Sequence, residues 1–477
     1  MFWIPGNKRI RVFIPLVAVV LVVISCAPAT TPPPVPTLTP MTPAATSTPT
    51  QLPIMPTTTP TPVTPPSPTS VPREAPAASS NLQTVWLYNP SGIRGDGISV
   101  DWQLSITMKN AGITKPPLAG QSTGARVEMI LAEDPYSAAN KLFYQRGWTD
   151  GLPIVPPTDG PLGEMLRGTD LPSDYVVASL DPMGGQATVE KIAVNAIMAG
   201  CRPEYMPVLI AAVEAIADPV FNLAGVGTTT NPDATMLIIN GPIAKQLDIN
   251  SGSNALGRGW EANATIGRAL HLIEQNIGGS WPGVSDVSSL GSPFDYSMML
   301  AENEAANPWQ PLDVERGFAK DKNVVTVVSA EGMQRVLDIG VNGEGFLGRV
   351  ADYVSGREGT HKNMLLVLTP FTAQKLVTEG WNKESIRQYI NDHARVSLFR
   401  YKAKFTGENP TGIVPDSILA TLDSNGMVQV PFIDQLVILV AGGVGEKDEL
   451  IPLWSPPVSR EIKLPPNWND LLQQAKV

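Results

Sequence analysis

The sequence predicts an α/β fold, a mostly parallel sheet flanked by helices, on three observations. Four short segments are apolar throughout, and each stops at small or turn-forming residues: Ala234 to Ile239 before Asn240-Gly241-Pro242, Val324 to Val328 before Ser329-Ala330-Glu331, Met364 to Leu368 before Thr369-Pro370, and Gln435 to Val440 before Ala441-Gly442-Gly443. Unbroken apolarity marks strands covered on both faces, whereas a half-solvated strand alternates. Helical stretches with capping residues precede and separate these segments. A composition of 43% hydrophobic and 16% charged residues suits a packed core better than a coiled coil or an acidic disordered chain.

Taken in order, Met1 to Ser25 reads as an export signal. Lys8, Arg9 and Arg11 precede an apolar run from Val12 to Ile24, about 13 residues and short of the roughly 20 needed to span a bilayer. The run ends in Val23-Ile24-Ser25-Cys26, the pattern of a bacterial lipoprotein cleavage box in which Cys26 is acylated and becomes the first residue. Each buried methylene of such a lipid contributes about 0.8 kcal/mol. The expected partner is therefore membrane lipid through Cys26, and the expected location is the cell envelope, lipid-anchored on its extracytoplasmic face.

Residues 26 to 82 are dominated by Pro, Thr, Ala and Ser, as in Pro32-Pro33-Pro34 and Thr59-Pro60-Thr61-Pro62. Such a segment cannot bury a core and favours extended polyproline II, a disordered stalk with a reach on the order of 150 Å. With Cys26 used for the anchor, Cys201 is the one thiol left, so no intramolecular disulfide is expected.

Residues 83 to 124 read as a small leading β segment, with Thr84 to Tyr88 and the alternating Val100, Trp102, Leu104, Ile106 and Met108 as strands. Beyond it, Asp134-Pro135 opens a helix to Gly147, Thr188 to Ala199 forms a second that ends at Gly200, and Pro203 to Ala217 a third. Helix, Gly-Trp recurs at Gly147-Trp148 and Gly380-Trp381, which leaves open two similar lobes, 125 to 320 and 321 to 477.

Charge narrows the partner. Removing Lys8, Arg9 and Arg11 with the leader leaves 31 basic against 44 acidic groups, a net of −13. No cluster of Lys and Arg is available for phosphate backbones, so nucleic acid is excluded and a small molecule is favoured.

The candidate site follows from where ligands sit in open α/β sheets, beyond the carboxyl ends of the strands. Asn240, Asn250, Asn254 and Asn263 are neutral groups able to orient a polar ligand, and Arg258 between Gly257 and Gly259 stands ahead of a helix, Glu261 to Gln275, whose free N–H groups suit an anion. The same amides also serve to satisfy loop backbone. Glu302 and Glu304 are paired carboxylates that would form an acid/base pair in a shared site. Cys201, between two helices and beside Arg202, is either a reactive nucleophile or a buried structural thiol. His271, His361 and His393 have no metal-ligand spacing and no cofactor is identified.

The blocks Gly147-Trp148-Thr149-Asp150-Gly151-Leu152-Pro153, Met183-Gly184-Gly185-Gln186-Ala187-Thr188, Ala199-Gly200-Cys201-Arg202-Pro203, Asn254-Ala255-Leu256-Gly257-Arg258-Gly259, Ala262 to Ala269, Glu302-Asn303-Glu304 and His393-Ala394-Arg395-Val396 together resemble a bacterial family related to the (seleno)proteins named for a Sec-Gly-Ser-Cys motif. The resemblance spans roughly residues 125 to 455. This chain lacks Cys-Gly-Ser-Cys, so the dithiol redox role that the resemblance implies does not carry over. The expected function is that of an anchored lipoprotein acting on a small polar or anionic molecule. The alternative is a lipoprotein that binds a solute without catalysis.

Overall fold

The structure is a computed structural model, and it describes residues 82–91, 127–356, 363–405, 413–430 and 435–475. The leader, the lipidation residue Cys26, the stalk and the expected strand Ser99 to Met108 lie outside the described residues. The chain divides into two units, 1–75 and 76–477, and all described residues belong to the second.

Helix termini form where the sequence signals them. Asp134 caps the helix Pro135–Gln145, accepting from the N–H groups of Tyr136 and Ser137, and Thr188 caps Val189–Ala199, accepting from Lys191 N. Gly147, Gly200 and Gly380 each adopt positive φ just past a helix. The next residue then donates backward over five positions: Trp148 to Phe143 O, Cys201 to Ala196 O, Trp381 to Leu376 O. The two Gly-Trp dipeptides are therefore one helix-ending device used twice, which explains their similarity without a duplicated lobe. The expected third helix divides into a 3-10 turn, Pro203–Tyr205, and the helix Met206–Ile216.

Strand β1 (Gln83–Tyr88) pairs antiparallel with β2 (Val127–Ala132), and β3 (Val176–Leu180) with β4 (Gly185–Thr188). The main sheet is built from β5 (Ala234–Asn240), β6 (Met299–Ala301), β7 (Val324–Ala330), β8 (Gln334–Leu337) and β9 (Asn363–Leu368), joined by later strands. A small pair, β10 (Arg395–Ser397) with β11 (Met427–Gln429), stands apart from it. The later members are β12 (Gln435–Val440), β13 (Lys447–Leu453) and β14 (Val458–Glu461). The order is β12-β9-β13-β7-β5-β6, with β14 on β7 and β8 on β13.

The α/β class holds, and the sheet is mixed. Its parallel pairs, β5 with β6 and β9 with β12, lie at the two ends of the order, each joined through helices. After β12 the chain reverses through the short turn 441–446, so β13 runs antiparallel to β9, the parallel partner of β12 beside which it lies. One sheet also crosses the boundary expected at 320: β5 pairs with β7 over seven positions, Ala234 with Ala330 through Asn240 with Val324.

The strands are apolar on both faces for a reason the parallel rule does not contain. Leu237, Ile239, Val325 and Val327 pack against the helices Val189–Ala199, Met206–Ile216 and Glu261–Ile273. Leu366, Leu436 and Ile438 pack against the helices Gly343–Gly356, Pro370–Thr378 and Lys383–His393. The alternate residues, Met236 and Ile238 of β5, Leu300 of β6, Val328 of β7, Leu365 of β9, Leu439 of β12 and Ile451 of β13, form a core of their own. All six strands of the order feed it, and Ala255, Leu256, Phe294 and Leu312, from the connections between strands, pack onto it. Each fully buried Val, Leu or Ile contributes about 1.5–3 kcal/mol. Among the described residues no helix is long and apolar enough to cross a membrane.

Candidate functional site

The turn after β5 meets the residues after β6. Asn240 is fully buried, and its Nδ2 donates to Glu302 Oε2 at 2.6 Å and to Glu304 Oε1 at 3.2 Å. Glu302 Oε2 also accepts from Leu312 N at 2.7 Å, its Oε1 accepts from Asn307 Nδ2 at 2.8 Å, and Glu304 Oε1 accepts from Gly241 N at 2.7 Å. Burial pushes the Glu302 carboxyl up to about 7, against the pull of the nearby Lys383, the Leu312 N–H and the Asn240 amide. Three of the expected residues are thus brought together. Their bonds are directed at one another and at backbone, so Glu302 is a hub that fastens three chain segments.

The remaining expected residues have other work. Asn263 accepts from Asn250 N and donates to the carbonyls of Asn250, Ala255 and Met299. Asn254 Nδ2 donates to Arg258 O, so the loop uses the backbone of Arg258 while its side chain is exposed. The helix expected to receive an anion has Glu261 in its first turn, and Arg202 holds it through bonds of 2.8 and 2.5 Å. The hydrogen bonds of Asn254 and Asn263 serve the loop backbone. Cys201 donates its thiol to Thr265 O at 3.2 Å, and burial pushes it up to about 12, which leaves it protonated and not nucleophilic at neutral pH.

The end of β7 cannot join this cluster. Because β7 runs antiparallel to β5, Ala330 pairs with Ala234, at the opposite end of β5 from Asn240. At that opposite end lies a cleft of about 70 Å³, lined by four aspartates, Asp150, Asp233, Asp286 and Asp295, together with Thr235, His271, Glu274 and their neighbours. The helix Glu261–Ile273 runs directly into a π turn, Glu274–Gly278, which faces Glu274, Gln275 and Asn276 inward, all buried. Turns of this kind occur mainly as local features at functional positions.

The Gly147-to-Thr158 block, the densest motif of the sequence, folds around this turn. Gln275 Nε2 donates to Gly147 O and Thr149 O, Asn276 Nδ2 to Trp148 O and Asn195 Oδ1. Arg268 grips Asp150 with bonds of 2.6 and 2.9 Å. These contacts fix one wall of the cleft.

His271 and Glu274 form its centre. His271 Nδ1 is 3.3 Å from Glu274 Oε2, and Glu274 Oε1 accepts from Thr235 Oγ1 at 2.6 Å. Burial pulls the imidazole down, but the hydrogen bond and charge of Glu274, with Asp295 and Asp150, outweigh it and hold its pKa above the ordinary histidine value. Its other nitrogen, Nε2, is buried and has no hydrogen-bond partner. Asp286 and Asp295 are both pushed above the ordinary carboxylate range by burial, and Asp295 also feels His271, Asp286 and Glu274. Among the described residues no three His, Cys, Asp or Glu groups are placed to hold a metal ion.

Sequence reasoning missed this site because it searched His271 for metal spacing and searched the carboxyl ends of strands. The legible signal was His271-Leu272-Ile273-Glu274, an i, i+3 pair on one helix face. No family model matches the chain, and searches of curated proteins and of solved structures find no similar protein.

Proposed function

We propose that this chain is a lipid-anchored lipoprotein of the extracytoplasmic face, held through Cys26, whose α/β domain carries out acid–base chemistry on a small polar molecule in the His271 cleft. One observation supports the chemistry above the others: Glu274 fastens one nitrogen of His271 and leaves Nε2 buried without a partner. A histidine oriented at one nitrogen by a carboxylate, which also stabilises its imidazolium, exchanges protons at the other. Thr235 in turn holds Glu274. At roughly 10–15 Å³ for each water-sized sphere, the cleft has room for about five such centres, which favours a molecule of that scale over a nucleotide or sugar chain. The relation to proteins named for the Sec-Gly-Ser-Cys motif stays part of this proposal and adds no catalytic residue to it.

Incubation of the mature protein with a panel of small polar compounds, followed by NMR for new product signals, tests the chemistry. Turnover that His271→Gln abolishes supports acid–base catalysis. Binding without turnover in both proteins replaces it with solute capture. For the anchor, metabolic labelling with fatty acid is expected in the wild type and lost in Cys26→Ala, and labelling that persists in the variant would end the lipoprotein reading.

A further inference from the structure

The charge lining the cleft is one-sided. Asp150 is paired with Arg268, Glu274 faces His271 and accepts from the Thr235 hydroxyl, and Asp233 adds a further carboxyl to the lining. Among the described residues Asp286 and Asp295 form no ion pair, although Asp295 feels the charge of His271: the hydrogen bond each is seen to accept comes from the backbone, Ser288 N to Asp286 Oδ1 at 3.0 Å and Ser292 N to Asp295 Oδ2 at 2.9 Å. Two partly buried carboxyls that face a cleft together repel unless a positive charge enters or a proton is taken up.

The second, independent observation is the nitrogen Nε2 of His271, buried in the same cleft and without a partner. With Nδ1 on Glu274, Nε2 carries a hydrogen in the charged ring, and a buried N–H without a partner is costly, so an acceptor oxygen brought by a ligand is favoured there. The two demands differ in sign and come from different chain segments. Asp295 belongs to the 3-10 turn Pro293–Tyr296 and Asp286 to the turn that follows Pro282, whereas His271 belongs to the helix Glu261–Ile273. A ligand that meets both carries a positive group and an oxygen acceptor a few bonds apart. A metal ion does not meet them, because the carboxyls and the imidazole do not converge on one point.

Resting on the reading of this cleft as the site, we propose that its ligand is a small primary amine that also bears an oxygen acceptor, an amino alcohol or amino acid, with its ammonium group at Asp286 and Asp295 and its oxygen on His271 Nε2. The ammonium supplies three donors to the two carboxyls, and the oxygen takes the buried donor that the fold leaves unmade in this cleft. Arg268 is held on Asp150 and Pro153 O and so does not compete for the carboxyls.

The test uses the mature chain with four probes: ethanolamine and glycine, which carry the ammonium, acetate, which carries only the anion, and ethylene glycol, which carries neither charge. Calorimetric titration is expected to detect ethanolamine or glycine, and Asp295→Asn is expected to weaken that binding by about tenfold or more, the scale of a lost charged hydrogen bond. Should Asp295→Asn fail to fold, Asp286→Asn gives the same comparison, and the 15N shift of His271 in the wild-type chain reports occupancy of Nε2 directly. Binding of acetate with none of the amines overturns the ligand class and leaves the cleft as the site. No response from any probe, with the His271 signal unmoved, overturns the site itself. Amine binding unaffected by both aspartate variants places the ammonium elsewhere and also overturns the proposal.

Discussion

Asn240 and Glu302, 62 residues apart in sequence, are joined by a 2.6 Å bond from the amide of one to the carboxylate of the other. The bond ties the last residue of β5 to the first residue after β6, and Leu312 N closes on the same oxygen. A buried carboxylate with several donors is held in place firmly, yet its burial still opposes the charge.

That opposition predicts a pH dependence of stability. Burial pushes both Glu302 and Asp448 up to about 7, the latter against the pull of Thr369 N–H and the Thr372 hydroxyl. Raised pKa values mean that the folded chain keeps protons the unfolded chain has released, so stability is greatest below the unfolded values and declines as pH climbs from about 4 to about 7. His271, also raised, acts in the same direction at its own higher window. Urea unfolding is expected to give a lower midpoint at pH 8 than at pH 5.5, and Glu302→Gln or Asp448→Asn should each flatten the slope. A midpoint that rises with pH over this range contradicts the argument.

The thiol of Cys201 offers a second check. With its pKa pushed up to about 12 and its proton on Thr265 O, it should resist iodoacetamide in the native state at pH 8 and react fully once the chain is unfolded. Rapid native alkylation would restore the nucleophile.

Asn276→Ala should be among the most damaging single changes. The side chain is fully buried and donates to both Trp148 O and Asn195 Oδ1, so its loss strands two buried acceptors at about 1–3 kcal/mol each. A loss of stability below about 1 kcal/mol would mean that water replaces the amide. Arg258→Ala, by contrast, changes an exposed side chain and should stay within about 0.5 kcal/mol of wild type.

Gly241 must turn the chain immediately after Asn240. Its φ is +92°, and a Cβ would lie 2.1 Å from Lys322 O. Gly241→Ala is strained by conformation and blocked by backbone at once, and a loss of more than about 2 kcal/mol is expected in thermal unfolding. An alanine variant as stable as the wild type would require the 322–323 backbone to have moved.

What the sequence disclosed was local. Asp134, Thr188 and Gly200 announce helix ends because capping is decided within a few residues, and β5, β7, β9 and β12 announce themselves by unbroken apolarity. The same apolarity suggested helices on both faces, whereas the second face of these strands packs with Ala255, Phe294 and Leu312 from the connections between strands, a long-range relation that no window of sequence contains. Asn240, Glu302 and Glu304 were legible as neighbours because each follows a strand. The cleft was not, since His271, Asp286 and Asp295 come from three segments and the π turn at Glu274 alters the helix face on which later residues appear.

The strand order carries a consequence for how the chain comes to be folded. β13 lies between β9 and β7, both made well before it. Until β13 has been made to cover β9 and β14 to cover β7, those two strands hold open hydrogen-bonding edges flanked by apolar faces, the condition that invites pairing with another molecule. A ribosome stalled anywhere between residues 370 and 446 would therefore hold a nascent chain in its most adhesive state, and the burden on cellular chaperones should fall sharply once β13 and β14 are free to pair.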